Sequence, residues 1–369
     1  MKILFIAPLP NPVTGQSMAC KSLYDLLCVK KNVKLVNISK KTFSQGFNSF
    51  LRIWELFLIF GKIKFYVFSV RVLYFTVSES IAGSIKDLLI YCICCLKLHK
   101  MVVHLHGGAG MRVLMSDKHP LLRALNTFFL KRVGAVVVLG DRLKDIYDGV
   151  VAPEKLHAVP NFANDEFFVA PEVIDTKFLN TEPLRLLFLS NLLPGKGHRE
   201  LLSALAQLPV EHRRSLHVDF AGGYESPEDE VRFMQEVQAV DNLSVQVHGV
   251  VQGEHKRQLL EQAHLFCLPT YYPYEGQPIS ILEAYASGCA VLTTDHSGIF
   301  DTFTPGVNGL QVLPRKPESI VQAVEQALAD PQALRTFART NNQHAREKYR
   351  ASIHLDALEK IIISVDQQE

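Results

Sequence analysis

The chain has 369 residues, 39 Lys and Arg against 37 Asp and Glu, and a hydrophobic fraction of 48%. Those values describe an ordinary soluble globular protein, longer than one core usually serves, so two domains are expected. The near-neutral total hides an asymmetry. Residues 1–165 hold 22 Lys and Arg against 10 Asp and Glu, a surplus of +12, and the remaining 204 carry 17 against 27, a deficit of −10. A basic first half suggests an anionic partner. Nucleic acid is not expected, because no basic run with interleaved aromatics, zinc-finger spacing or RNP-like motif is present.

In chain order, "MKILFIAPLP" has a Lys before apolar residues but is interrupted by Pro8 and Pro10, with no small-residue cleavage site behind it. It reads as a buried first strand rather than a leader. Residues 47–75, "FNSFLRIWELFLIFGKIKFYVFSVRVLYF", mix aromatic and aliphatic residues with Arg52, Lys62, Lys64 and Arg71. The pattern suits an interfacial helix that meets anionic lipid headgroups, or a core helix with a solvated basic face. Its charges break any apolar run long enough to span a bilayer. The seven cysteines, three of them crowded at Cys92, Cys94 and Cys95, show no disulfide framework and are expected to be reduced and buried, as in a cytosolic protein.

Short apolar runs alternate with helical segments throughout. "KILFIAP", "VKLVNI", "VLYFTV", "MVVHLHG" and "GAVVVLG" read as buried parallel strands in the first half, and "LRLLFLSN", "HVDFAGG", "VQVHGVV", "LFCLPT" and "AVLTTD" repeat the pattern. Two such sets predict two doubly wound α/β domains, over 1–166 and 184–345. Residues 167–183 form the expected linker, and a last helix is expected within 346–369. Ligands of open α/β sheets bind beyond the carboxyl ends of the strands. The stretches "PNPVTGQS" (10–17), "HLHGGAG" (104–110) and "SNLLPGKG" (190–197) all fall there.

Familiar nucleotide motifs are missing. No GxGxxG follows the first strand, and "PGKG" lacks the earlier Gly and the following Ser or Thr of a P-loop. There is no Asp-x-Asp pair, no nucleophile elbow and no Ser-His-Asp set. His104 and His106, at a strand end, are expected on opposite faces, which argues against a shared metal. What remains is a carboxylate pair in "YEGQPISILEA" (274–284). Gly276 and Pro278 shape a turn, and a helix is expected to begin near Ile279 or Ser280. Its first-turn N–H groups, those of Ile279, Ser280 and Ile281, form a ready anion site. Glu275 lies before the turn and Glu283 one turn into the helix, so an anion bound there has a carboxylate on either side. Gly288 is expected to end the helix.

This stretch resembles the E-x7-E signature of the retaining glycosyltransferases of family GT4. Other elements are similar in the same order: "PLPNPVTGQS" to the first Gly-rich loop, "VVHLHGG" to the strand that ends in a functional His, "VPNFAND" to a Pro-Asn turn, "LSNLLPGKG" to the GRLxxxKG element and "SGIFDTFTPGVNGLQV" to a late Gly-Val-Asn-Gly turn. The resemblance spans essentially the whole chain. It implies a GT-B fold, with two Rossmann-like domains facing a cleft and a final helix that returns to the first domain. It implies a donor domain over 184–345 and an acceptor domain over 1–166.

By the same resemblance, Glu275, His106 and Lys196 are the catalytic set. Glu275 and His106 would meet the transferred sugar, and Lys196 the leaving diphosphate. Gly15, Asn191, Lys196, Gln277, Pro278, Ile279, Ser280 and Glu283 would bind the donor, with Glu283 on the ribose. Asn161 would be structural. No cofactor and no metal are implied. The partners implied are a nucleotide sugar, with UDP favoured over GDP, and a glycan or lipid-linked acceptor at the inner face of the plasma membrane. The chain departs from the family in two places: Asn191 stands where an Arg is usual, and Ser297-Gly298-Ile299-Phe300-Asp301 replaces the Gly-Gly-x-Pro-Glu loop. The competing readings are a GT-B-shaped nucleotide-sugar epimerase or sugar phosphorylase, and a non-catalytic nucleotide-sugar-binding subunit.

Overall fold

The computed structural model describes residues 1–10, 14–39 and 49–368; the side chains of 49–52 are not described. Residues 11–13 of the first Gly-rich loop, residues 47 and 48, and the side chain of Arg52 therefore lie outside the described part.

The chain divides into two compact units. Unit 1 contains residues 1–161, 274–277 and those from Ser352 onward; unit 2 contains 162–273 and 278–351. The division falls after Asn161, and residues 167–183 pack as part of unit 2. There Ile174 and Phe178 join the core, and a short helix runs through the segment.

Among its described residues unit 1 has six strands: β1 (Lys2–Ala7), β2 (Asn32–Asn37), β3 (Val72–Thr76), β4 (Met101–His104), β5 (Ala135–Val138) and β6 (Leu156–Ala158). Its helices are α1 (Gly15–Lys30), α2 (Ser49–Tyr66), α3 (Ile81–Ile93), α4 (Ala109–Leu114) and α5 (Pro120–Leu130). The strands pair in the order β2-β1-β3-β4-β5-β6, all parallel. Residues 3–7, 72–76, 101–104 and 135–138 are buried throughout, as strands covered on both faces must be.

Unit 2 repeats the plan. Its helices are α6 (Pro171–Lys177), α7 (His198–Gln207), α8 (Val210–Arg214), α9 (Pro227–Gln238), α10 (Gly253–Gln262), α11 (Ile279–Ala286), α12 (Pro317–Ala329) and α13 (Pro331–Lys348). Its strands are β7 (Leu184–Leu189), β8 (Leu216–Ala221), β9 (Ser244–Val247), β10 (Leu265–Leu268), β11 (Ala290–Thr294) and β12 (Gly309–Val312), in the order β12-β11-β10-β7-β8-β9 and again all parallel. The last helix, α14 (Ala351–Gln367), belongs to unit 1 from Ser352 on. Its Leu358, Ile362 and Val365 pack with Ile3, Phe5 and Val102. Glu359 meets Lys30 at 2.6 Å, and Asp366 meets Arg71 at 2.8 Å.

All ten strands read from the sequence are present, and β6 and β12 are additional. Each of those two is a short edge strand without a long apolar run. The cysteines are free, but Cys28, Cys92 and Cys95 are exposed rather than buried, because they lie on the outer faces of their helical segments. Among the described residues no helix is long and apolar enough to cross a membrane.

In each sheet the chain reverses its direction of travel at the first strand. β1 has β2 on one side and β3 on the other, and β7 has β8 on one side and β10 on the other. Loops that leave the carboxyl ends of these neighbouring strands diverge and leave a crevice. The segments after β1, β3 and β4 in unit 1, and after β7 and β10 in unit 2, carry the residues described next.

Candidate active site

Helix α11 begins at Ile279, with Pro278 as its N-cap. Pro suits a helix entrance because its fixed φ and missing N–H cost nothing there. Of the three first-turn amides, that of Ile281 donates to the Pro278 carbonyl at 3.2 Å. Ile279 and Ser280 are partly exposed, whereas Ile281 to Ala286 are buried. The far end closes in a Schellman motif: Gly288 N–H donates to Tyr285 O at 3.0 Å and Cys289 N–H to Ala284 O at 2.9 Å. Gly288 has φ +64°, and a Cβ there would lie 2.4 Å from Ile174 Cγ1, so both backbone and packing require glycine.

Glu283 is buried within this helix, and its Oε1 lies 2.6 Å from Lys256 Nζ on α10. Lys256 also lies 4.9 Å from the centroid of Phe167. A buried carboxylate needs such a partner, since an isolated one would be neutralised or expelled. Sequence reasoning missed Lys256, which no spacing relates to Glu283.

The "PGKG" turn precedes α7. Gly195 and Gly197 adopt φ +93° and +91°, and a Cβ on Gly197 would lie 2.4 Å from the Pro269 carbonyl. Tyr271 N–H donates to Gly195 O at 2.7 Å. The turn is thus fastened to the segment after β10, and Lys196 Nζ sits 4.7 Å from the Tyr272 ring centroid. Arg315, in the left-handed region at φ 58°, stacks on neighbouring Tyr271 at 4.6 Å. Asn191 is exposed at the end of β7, where it supplies no charge. Lys196 and Arg315 are the cations on the 271–272 pair.

The four residues 274–277 join unit 1. Asn161 N–H donates to Gln277 Oε1 at 2.6 Å, Asn161 Nδ2 donates to Gln277 O at 2.8 Å, and Gln277 Nε2 donates to Leu139 O at 3.2 Å. Gln277 therefore spends its side chain on fixing this loop, and Asn161 is its counterpart. Gly276 rests on the loop after β4: a Cβ there would meet His106 O at 2.4 Å and Gly107 Cα at 2.9 Å. Glu275, itself buried, is thereby placed one residue from the His106 backbone contact.

His106 sits above α1, its Nε2 3.7 Å from Cys20 Sγ, and Cys20 Sγ is 3.6 Å from Thr76 Oγ1. Burial, with His354 nearby, pushes the His106 imidazole down to about 3, so the ring is neutral at physiological pH. His104 and His106 do not point to opposite faces. Their ring centroids lie 4.0 Å apart, because positions i and i+2 of an extended chain share a face. His104 Nδ1 lies 2.6 Å from Tyr74 Oη. Among the described residues no group of three His, Cys, Asp or Glu is arranged to hold a metal ion. Gly15 opens α1 and is exposed, with Thr14 and Ser17 forming a capping box around it.

The structure thus gathers Glu275, Gln277 and His106 in unit 1. In unit 2 it places Lys196 beside Tyr272 and puts Pro278, Ile279, Ser280 and Glu283 on one helix.

Residues 170–344 match the family model described as glycosyl transferases group 1. An uncharacterized glycosyltransferase of Methanocaldococcus jannaschii is 27% identical over 145 residues, which cover 39% of this chain and 36% of that protein. Alpha-D-kanosaminyltransferase of Streptomyces kanamyceticus is 23% identical over 249 residues, 65% of this chain and 62% of that protein. The matches thus span less than two thirds of either relative. Among solved structures, Anabaena HepE in complex with UDP-glucose superimposes with a TM-score of 0.73 at 18% identity, over 99% of this chain and 100% of that one. With its two six-stranded parallel sheets the chain has the GT-B fold, and its residues 170–344 are similar to the group 1 glycosyl transferases.

Proposed function

We propose that the protein is a retaining, metal-independent hexosyltransferase that moves a sugar from a nucleotide-diphosphate sugar, UDP before GDP, to a hydroxyl of a glycan or lipid-linked acceptor. The observation that carries the reading is the seating of Gly276 on the His106 carbonyl, one residue from the buried Glu275. Glu275 and His106 are then the groups that hold the hydroxyls of the transferred sugar as positive charge grows at its anomeric carbon. The N-terminal amides of α11 and the Lys196 ammonium receive the diphosphate, and Glu283 accepts from the ribose hydroxyls. HepE, solved with UDP-glucose, supports the choice of UDP.

In the proposed reaction the bond between the anomeric carbon and the phosphate oxygen breaks, and the acceptor oxygen bonds to the same face of the sugar. The acceptor's proton passes to the leaving phosphate. Positioning and fixed charges supply most of such a rate gain.

The acceptor side of the proposal is surface polysaccharide synthesis, in O-antigen, capsule or exopolysaccharide, at the cytoplasmic face of the membrane. Its support is α2 in unit 1, where Trp54, Phe57 and Phe65 are 56%, 65% and 77% exposed beside exposed Lys62 and Lys64. An aromatic and basic helix face of this kind suits an anionic bilayer surface. Failure to sediment with anionic vesicles at low salt would remove that part of the proposal.

Calorimetric titration with UDP and GDP, in EDTA, is the direct test of the donor reading. Selective UDP binding, followed by release of UDP from a UDP-sugar in the same buffer, is expected. Binding without turnover, even with acceptor extracts, would favour a nucleotide-sugar-binding subunit.

A further inference from the structure

A second carboxyl group, on the segment after β3, lies against the His106 loop. Glu79 follows β3, at the strand-order reversal of the unit 1 sheet, where loops border the crevice. Its carboxyl packs flat on the loop after β4. A Cβ on Gly107 would lie 2.1 Å from Glu79 Oε2 and 2.4 Å from Oε1, and one on Gly110 would lie 2.7 Å from Glu79 Cβ. At Gly110 the approach includes the Glu79 backbone carbonyl at 2.9 Å, which cannot yield as a side-chain end can. Residues 274–277 approach the same loop: a Cβ on Gly276 would lie 2.9 Å from Gly107 Cα, and Tyr274 Cδ1 would lie 3.0 Å from a Gly110 Cβ.

The carboxyl accepts the N–H of Met111, in the first turn of α4. The N-cap of that helix is Gly108, which has no side chain to cap with, so an acid from another loop does the capping. The second oxygen, Oε1, is buried with no hydrogen-bond partner among the described residues, and so is the hydroxyl of Tyr147. Burial pushes the Glu79 carboxyl up to about 8, and the same acid helps to push Tyr147 up. The segment that presents Glu79 is itself pinned. Asp87 Oδ2 accepts Ser78 N–H at 2.6 Å, Lys86 Nζ lies 2.9 Å from Asp87 Oδ1, and Ser80 caps α3.

A helix cap alone would be served at less cost by an exposed Ser or Asn. A largely buried acid wedged between β3 and the 106–110 loop instead fixes the height of that loop. We infer that Glu79 is a positioning residue of the transfer reaction, clamping residues 106–110 so that His106 and the seat of Glu275 keep their places. The inference rests on the assignment of His106 and Glu275 to the transferred sugar.

The test uses the full chain with Glu79→Ala and Glu79→Gln, read by amide hydrogen exchange and by UDP release from UDP-glucose and UDP-N-acetylglucosamine with water as acceptor. In Glu79→Ala the amides of 107–112 should exchange about fivefold faster, the size of a lost cap. Its kcat should fall about 100-fold, as for a displacement near 1 Å. UDP affinity and KM should stay within about twofold, since the helix and Lys196 assigned to the diphosphate lie in unit 2. Glu79→Gln, which keeps the shape and the acceptor oxygen, should restore most of kcat. Unchanged exchange at 107–112 in Glu79→Ala would overturn the clamp, and faster exchange with unchanged kcat would reduce it to a structural cap and overturn the positioning role. A wild-type protein that binds UDP yet releases none from any UDP-sugar would instead defeat the functional reading, and exchange alone would then decide whether the clamp exists.

Discussion

Lys256 and Glu283 form a 2.6 Å ion pair in which the carboxylate side is 5% exposed and the ammonium side 23%. The two ends are therefore not equivalent. Lys256→Ala leaves a buried charge without its counter-ion, whereas Glu283→Ala leaves a lysine that can turn to solvent. Lys256→Ala should cost about 1–3 kcal/mol of stability, the range for orphaning a buried hydrogen-bonded group. Glu283→Ala should cost less stability but about 1.5–3 kcal/mol of UDP affinity, the range for a charge-assisted hydrogen bond. Urea midpoints and calorimetry on both variants separate the effects. Equal UDP affinity in Glu283→Ala and the wild type would remove the ribose role.

Lys196 is carried by a turn whose backbone is tightly set. With Gly195 and Gly197 in left-handed conformations and Gly197 against the Pro269 carbonyl, the ammonium has little choice of origin. If it meets the leaving diphosphate, removing it should lower kcat about 100- to 1,000-fold with a smaller change in KM, as for loss of one preorganised donor to a developing anion. Steady-state UDP release by Lys196→Ala checks this, and normal turnover would refute the assignment. Arg315→Ala is the companion variant. A further loss in the double mutant would show that Arg315 shares the charge that Asn191 cannot supply.

Gly276→Ala probes the seat of Glu275. The new methyl would have to push the His106 carbonyl or the 274–277 loop outward, because the clash is with backbone and no flexible side chain can yield. Overpacking of this kind costs about 1–3 kcal/mol. Turnover should fall steeply while UDP affinity, assigned to unit 2, is kept. A fully active Gly276→Ala enzyme would show that this contact does not position the reacting groups.

Much of the fold was legible because buried parallel strands advertise themselves as continuous apolar runs, and ten of the twelve were read that way. β6, "LHA", is too short to show a run, and in β12, "GLQV", Gly309 and Gln311 interrupt the apolar residues. In the site, the start of α11 and its Gly288 terminus followed from local chemistry: Pro278 before a helical stretch, and a glycine at its end. Lys256 and Glu79 could not be read, because each is brought to its partner by tertiary packing, at no spacing that a helix or strand repeats. His104 and His106 were misread for a simpler reason. The period of a strand is two, so residues two apart lie on the same side.

The buried histidines make acid stability a quantitative check on the packing. Burial holds His106 down to about 3 and His198, His264 and His354 down to about 4, against about 6.5 in an unfolded chain. Between those values the unfolded chain binds more protons than the folded one, so stability rises with pH. The contribution is therefore whole above pH 6.5 and lost as pH falls toward 4. Glu79, raised to about 8, acts in the opposite sense: its contribution is whole below its unfolded value of 4.5 and fades as pH rises through 8. The two trends predict greatest stability near pH 6.5–7. Each histidine contributes a slope of up to about 1.4 kcal/mol per pH unit. Urea midpoints from pH 4.5 to 8.5 should fall on both sides of that maximum, and Glu79→Gln should flatten the alkaline limb and steepen the acid one. A flat profile between pH 4.5 and 6.5 would mean that these rings are already protonated or solvated in the folded protein, and the neutral His106 assigned to the sugar would have to be abandoned.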